Sequence, residues 1–307
     1  MSEPVRLRAA TRGSELALWQ TDFVISQVRS AGARDGRRIE VESVIVETVA
    51  DRRQDVEIWE MGGKGVFVKE VQAAVLDGHA DLAVHSAKDL PAVGHPDLVL
   101  VAVPSRADAR DVLVGSSLDG LAPGAVVATG SVRRRVQLAW ARPDLTFTGL
   151  RGNIATRFTK IPAGGAIVVA RAAIDRLGID LTDVEHQVLD PTVMLPQVGQ
   201  GALAVECRRD DHATRELLAA IEHPTSRRAV DTERAFLAEL GGDCDLPAGA
   251  HASVDDGGSI AVDGLLASLD GHVLLRHSLT GPEPDALGRA MASHLLTDAG
   301  GAALLAR

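Results

Sequence analysis

Val5, Leu7 and Ala9 alternate with polar neighbours, the period of two expected of a half-buried strand. Leu16, Trp19, Phe23 and Val24 then recur at the spacing of a helix face, and Ser14, just ahead of them, is a residue type that caps helix N-termini. The alternation returns: Val41 to Val46 reads as strand, Phe67 to Leu76 as a helix stopped by Gly78, and Asp81 to His85 as strand. A second cycle starts near Asp111, with Val112-Leu113-Val114, Val126-Val127-Ala128, Leu145 to Leu150 and Ile167 to Ala170 as short apolar strands between helical stretches. Short apolar runs alternating with helices predict an α/β protein with mostly parallel sheets.

Pro104-Ser105-Arg106-Ala107-Asp108 reads as the crossing between the two units and Pro196 to Gly201 as the return, after which Ala202 to Cys207 is a strand that rejoins the first sheet. From Thr225 the pattern changes to a helix, Ser226 to Leu240, then strands broken at Asp255-Asp256-Gly257-Gly258 and Asp270-Gly271, then a closing helix. The predicted domains are 1–104 with 200–222, then 105–199 with an arginine-rich cleft wall, and a smaller α+β domain over 223–307. No repeat or low-complexity tract is visible, which excludes solenoids and arrays.

Composition narrows the class. A chain of 307 residues has room for two or three domains, and 46% hydrophobic with 24% charged residues describes a folded soluble protein. Met1 to Arg6 lacks an apolar leader core, and no apolar run approaches the roughly 20 residues needed to span a bilayer. A cytoplasmic protein without a membrane partner is expected, with monomer as the default state because no heptad or apolar stripe suggests a dimer. The two cysteines, Cys207 and Cys244, predict no structural disulfide, and the histidines form no metal-ligand spacing. A net charge of −10 disfavours nucleic acid as a partner.

Against that acidic background stands a basic cluster. Arg133, Arg134 and Arg135 follow the strand Val126 to Ala128 through Thr129-Gly130-Ser131, so they fall in the first turn of a helix, where cations oppose the macrodipole. Like charges about 4 Å apart repel by about 4 kcal/mol at an effective dielectric near 20, so the placement asks for anions. Arg151 sits after the next strand with Arg157 beyond it, and ligands of open α/β sheets bind beyond the carboxyl ends of strands. The arginines are therefore expected to face one cleft and to grip carboxylate or phosphate with their planar forks. A solvated helix face is the alternative for any single one, most of all for Arg135.

Gly62-Gly63-Lys64-Gly65 lacks the spacing of a nucleotide loop and reads better as a hinge into the following helix. His85-Ser86-Ala87-Lys88-Asp89 puts a cation and a carboxylate at a cleft rim, either as a local salt bridge or as a group that stabilises a cationic intermediate or moves a proton. His85 itself reads as a core histidine. Cys207, inside an apolar strand, reads as an inert thiol. Cys244 lies in the loop Gly241 to Pro247 between Asp243 and Asp245, which tend to raise its pKa; a permanent attachment point suits it better than a turnover nucleophile.

The segments Ala10 to Ser14, Leu16 to Gln20, Gly62 to Glu70, Val84 to Asp89, Arg151-Gly152-Asn153, Arg171 to Gly178 and Val198 to Ala202 together resemble, in order, the porphobilinogen deaminase family; the likeness runs from Leu7 to about Gly249 and is loose beyond. The resemblance implies two α/β domains similar to type II periplasmic binding proteins and a smaller C-terminal α+β domain. It implies an enzyme that condenses four porphobilinogens, with loss of ammonia, into the linear tetrapyrrole hydroxymethylbilane. It also implies a dipyrromethane cofactor joined by thioether to Cys244, and no metal. By motif position Arg12, Ser14, Lys88, Arg133, Arg134, Arg151 and Arg157 would hold the acetate and propionate groups of the pyrrole chain, with Ser131 and Gln200 beside them and Arg176 as a further match. Asp89 matches the family's catalytic aspartate.

The chain departs from the family pattern at Ala50, Glu60 and Asp243, where glycine, lysine and glycine are usual. The first two touch a lid and the third the attachment loop, which leaves a catalytically impaired paralogue open. A small-dicarboxylate-binding module and a transferase acting on a phosphorylated substrate are the other readings.

Overall fold

The computed structural model describes residues 3–49, 65, 67–242 and 246–305. In chain order, β1 (Val5–Arg12), α1 (Glu15–Arg34), β2 (Ile39–Val46), α2 (Lys69–Leu76), β3 (Leu82–Ser86) and β4 (Leu98–Ala102) come first, with a 3-10 turn at Ala87–Asp89 after β3. Next come β5 (Asp111–Val114), β6 (Val126–Ala128), α3 (Val132–Ala141), β7 (Thr146–Thr148), α4 (Ile154–Phe158), β8 (Ala166–Ala170), α5 (Arg171–Leu177) and β9 (His186–Val188). The chain then forms β10 (Leu203–Arg208), α6 (His212–Ala219), α7 (Pro224–Glu239), β11 (Ala248–Val254), β12 (Ile260–Ala267), β13 (Leu274–Gly281), α8 (Pro284–Ser293) and α9 (Ala302–Leu305).

These strands build two five-stranded sheets, ordered β2-β1-β3-β10-β4 and β7-β6-β8-β5-β9, and an antiparallel meander β11-β12-β13. The result is two α/β domains and a smaller α+β domain. In each large sheet one strand runs against the other four: β10 is antiparallel to β3 and β4, and β5 to β8 and β9. The sheets are mostly parallel, as expected, with one reversed strand in each. The reversed strands are the first ones after each crossing, and register shows why: Leu203 pairs with Ser86 at the end of β3, and Asp111 with Ala170 at the end of β8. Each crossing delivers its strand at the carboxyl end of its neighbour, and the strand has to run back.

Burial follows the apolar pattern, with one difference on α1. Val24, Ile25 and Val28 pack with Leu82, Val84 and Val205 in the first core. Trp19 is 37% exposed, stacks on Phe23 at 5.5 Å, and lies under the Arg176 guanidinium at 5.7 Å. Its helical spacing reflects a contact with α5 of the second domain rather than the core. The third domain closes around Phe236, Ile260 and Met291, where α7 and α8 pack on the meander.

The crossings are bonded to each other and to the third domain. Ala107 N–H donates to Gly201 O at 3.0 Å, and Arg106 N–H donates to Ser226 Oγ at 2.9 Å. Glu233 of α7 lies wholly buried between them: Arg106 Nη1 and Nη2 donate to its oxygens at 2.6 and 3.1 Å, and Gly199 N–H at 2.7 Å. Burial resists its ionisation, but Arg106 and His251 hold its pKa at about 2.

Candidate active site

The 3-10 turn Ala87–Asp89 leaves the carboxyl end of β3, pinned by Ala87 N–H to Ala202 O at 3.0 Å, and carries Lys88 and Asp89. The return crossing packs directly on it. Gly199 has φ of +71°, and a Cβ there would lie 2.9 Å from the carbonyl carbon of Ala87 and 3.0 Å from Lys88 N. Only glycine satisfies both the left-handed backbone and that approach. Arg12 closes β1 with its guanidinium 4.6 Å from the centre of the Phe67 ring. Ser14 caps α1, its Oγ accepting from Ala17 N–H at 3.3 Å.

Facing this turn, Ser131 caps α3 by accepting from Arg134 N–H at 3.4 Å. Arg133 and Arg134, as expected, occupy the first turn of that helix, but both side chains turn inward onto Asp111. Arg133 is 2% exposed; its Nη2 donates to Asp111 Oδ2 at 2.7 Å and its Nη1 to Leu195 O at 2.5 Å. Its guanidinium is thus buried and turned to Asp111 and the Leu195 carbonyl, whereas the sequence pattern suggests that it faces a cleft. Arg134 donates from Nε and Nη2 to Asp111 Oδ1 at 3.1 and 2.8 Å and from Nη1 to Val168 O at 3.0 Å, which leaves part of its fork available.

Gln200 is placed differently too. Its Nε2 donates to Asp111 Oδ1 at 2.9 Å and to Ala109 O at 2.7 Å, so both amide hydrogens are engaged, and its buried oxygen has no partner. An amide in that state accepts from N–H groups and has nothing left to donate to a carboxylate. Asp111, which receives all three side chains, is the buried partner the sequence reading missed. The signal was there: one carboxylate opening the wholly apolar run Val112 to Val114 has to be paired if it is buried.

Charge in this region is lopsided. Burial pushes Lys88 down to about 8; Asp89 opposes the shift, and Arg134 and Arg157 reinforce it. Burial likewise lowers Arg157 to about 10, helped by Arg134 and Arg151. Burial would raise the Asp111 carboxyl, but Arg133 and Arg134 hold it well below the usual carboxylate range. Among the described residues, the carboxylates that act on Lys88, Arg133 and Arg157 here are Asp89 and Asp111. Cations that depress one another are stabilised by anions entering among them. Arg135, by contrast, is exposed and donates to Leu269 O at 2.8 Å, and Arg176 braces the return crossing through Gly201 O at 2.7 Å.

His85 is buried, its Nε2 3.2 Å from Glu206 Oε2, and burial pushes the Cys207 thiol up to about 12, both in keeping with core roles. Cys244, Asp243, Ala50, Asp51, Glu60, Gly62, Gly63, Lys64 and Val66 lie outside the described residues. Among the described residues no three His, Cys, Asp or Glu side chains gather as metal ligands would.

Basic side chains gathered beyond the carboxyl ends of strands from both α/β sheets, beside the carboxylate of Asp89, are chemically suited to a ligand rich in carboxylates. The chain belongs to the porphobilinogen deaminase family: the family description "Porphobilinogen deaminase, dipyromethane cofactor binding domain" matches residues 7–216, and that of the family's C-terminal domain matches residues 228–297. The porphobilinogen deaminase of Shouchella clausii is 44% identical over 96% of this chain and 94% of its own. That of Geobacillus kaustophilus is 43% identical over 97% and 96%, and that of Acidothermus cellulolyticus 44% over 94% and 88%. A solved TRAP solute binding protein specific for aromatic acid ligands overlaps loosely, with 12% identity and a TM-score of 0.41 over 72% of this chain and 75% of that one.

The protein is accordingly a transferase of tetrapyrrole biosynthesis that joins four porphobilinogens into hydroxymethylbilane on a dipyrromethane primer. The residues present fit that cofactor, since two pyrrole rings bring four carboxylates to a site where, among the described residues, cations outnumber carboxylates and a buried amide oxygen has no donor.

Proposed function

We propose that turnover takes place between the two α/β domains, with Asp89 as the catalytic carboxylate and Cys244 as the cofactor's anchor. The observation that carries this reading is the gathering of basic side chains around the turn that bears Asp89: Arg134 and Arg157 lie close enough to Lys88 to lower it, and Arg134 and Arg151 close enough to Arg157. With Arg12 they hold the acetate and propionate groups of the growing chain. Ser14 and Ser131 add hydroxyl donors, since each oxygen accepts a helix N–H and its own hydrogen remains to give. The bound dipyrromethane supplies the nucleophilic ring carbon to which the first substrate is joined. Asp89 faces the pyrrole N–H of the incoming ring, stabilises the positive charge that develops as ammonia departs, and assists proton transfer to the leaving amine. Arg133 and Gln200 support this surface from beneath.

The domain limits 1–104 with 200–222, 105–199 and 223–307 belong to the same proposal, as does a monomer in the cytoplasm that binds neither nucleic acid nor membrane. The acidic net charge supports that setting, and among the described residues no helix is long and apolar enough to cross a membrane. Intact mass before and after incubation with porphobilinogen tests the whole reading. Wild type should carry the dipyrromethane mass and climb in single-pyrrole steps; Cys244→Ser should lack it, and Cys207→Ser should keep it. A bare polypeptide whose mass never changes would favour the dicarboxylate-binding module or the impaired paralogue.

A further inference from the structure

We propose that Asp111 is a positioning residue of the reaction: it sets the direction of the Arg134 fork and the orientation of the Gln200 amide, and so fixes what the second domain presents to the pyrrole chain. It touches neither substrate nor cofactor in this role. The inference rests on the reading of Arg134 as a carboxylate holder.

Four donors from three side chains converge on one carboxylate that is itself 0% exposed. The two oxygens divide the work. Oδ2 takes Arg133, whose other end is tied to Leu195 O, and Oδ1 takes Nε and Nη2 of Arg134 together with Gln200 Nε2. Two points of attachment on one edge of a planar guanidinium fix its plane, and Val168 O at 3.0 Å from Nη1 fixes its tilt, so the remaining N–H bonds have a set direction. On Gln200 the same oxygen decides which end of the amide faces inward, because a carboxylate repels the amide oxygen and attracts the NH₂. Gln200 belongs to the return crossing and Asp111 opens the strand after the first one, so this carboxylate also joins both crossings to the arginine helix.

Bare charge neutralisation is the competing explanation, since two buried guanidiniums need an anion. Two holoenzyme variants separate them. In Asp111→Asn with Arg133→Met, one cation and one anion leave together, so the local charge is that of wild type while the grip on Arg134 is lost. In Asp111→Glu the charge is unchanged and the carboxylate moves by about one methylene. Positioning predicts that either variant, folded with a melting temperature near wild type, shows a KM for porphobilinogen raised by more than about fivefold with a smaller change in kcat, or fails to load cofactor by intact mass. Both variants loaded, with KM within about fivefold of wild type, would overturn the proposal; if only one folds, that one decides. Arg134→Met is the control: if its KM also stays at the wild-type value, the carboxylate-holder reading fails, whereas a raised KM there with unaffected Asp111 variants rejects only the role of Asp111.

Discussion

Lys88 is the residue at which chemistry and burial conflict most directly. In the proposed role its ammonium has to stay charged to hold a carboxylate, yet burial, with Arg134 and Arg157, brings it to about 8. The sign follows. Below that pH the free enzyme has the cation in place, and as pH rises through about 8 the charge and its attraction for the substrate are lost. KM for porphobilinogen should therefore bend upward above about pH 8, while the complex, whose carboxylates favour the charged form, should bend at a higher pH. Arginine keeps its proton throughout this range. Lys88→Arg should abolish the bend even if it lowers kcat, and a profile identical to wild type would remove Lys88 from the binding surface. Asp89→Asn tests the other half of the turn: cofactor loaded, fold retained, and turnover down by about 100-fold or more, in the range of a lost general acid or electrostatic stabiliser. Normal hydroxymethylbilane production would dismiss it.

At the scale of elements, one close joint is where the return crossing meets the turn that bears Lys88 and Asp89. Gly199→Ala would place a methyl group 2.9 Å from the Ala87 carbonyl carbon, closer than real side chains approach, and tightly against Lys88 N at 3.0 Å, in a left-handed backbone besides. A loss of roughly 1–3 kcal/mol in stability is expected, together with a drop in kcat larger than the stability loss explains, because the displaced segment carries Asp89. Unchanged kinetics with lowered stability would mean the turn is held by β3 alone. Legibility in the sequence divides along the same line. The strand and helix runs, the cap at Ser14 and the return of Ala202 to Cys207 to the first sheet were all readable, because periodicity and cap chemistry are local. The reversed directions of β5 and β10 were not, since they depend on where a crossing lands. Nor was the inward turn of Arg133 and Arg134, because the anion that draws them, Asp111, is more than twenty residues away in sequence and adjacent only in the fold.

For the whole molecule the governing feature is that both crossings and the third domain meet on Glu233. That carboxylate, held at about 2, contributes stability that is fully present above its ordinary pKa near 4.5 and is lost as pH falls from there through about 2. Glu233→Gln keeps the shape but leaves Arg106 facing a neutral amide. Removing one partner of a buried pair typically destabilises by 3–5 kcal/mol, so a fall in melting temperature of about 10 °C is expected. Calorimetry carries more information than the midpoint. If Glu233 is what makes the three domains unfold together, the variant should split into separate transitions, and the acid-induced loss of stability between about pH 4.5 and 2 should shrink relative to wild type. Because Gly199 N–H also ends on this carboxylate, at 2.7 Å, loosening it frees the crossing that packs on Lys88 and Asp89. The variant should then release partly elongated chains that wild type retains, visible as di- and tripyrrole products in the supernatant. A single transition with wild-type product lengths would place the coupling of the domains elsewhere, in contacts such as Trp19–Arg176 between the first two domains and Arg276 to the Pro191 and Thr192 carbonyls between the second and third.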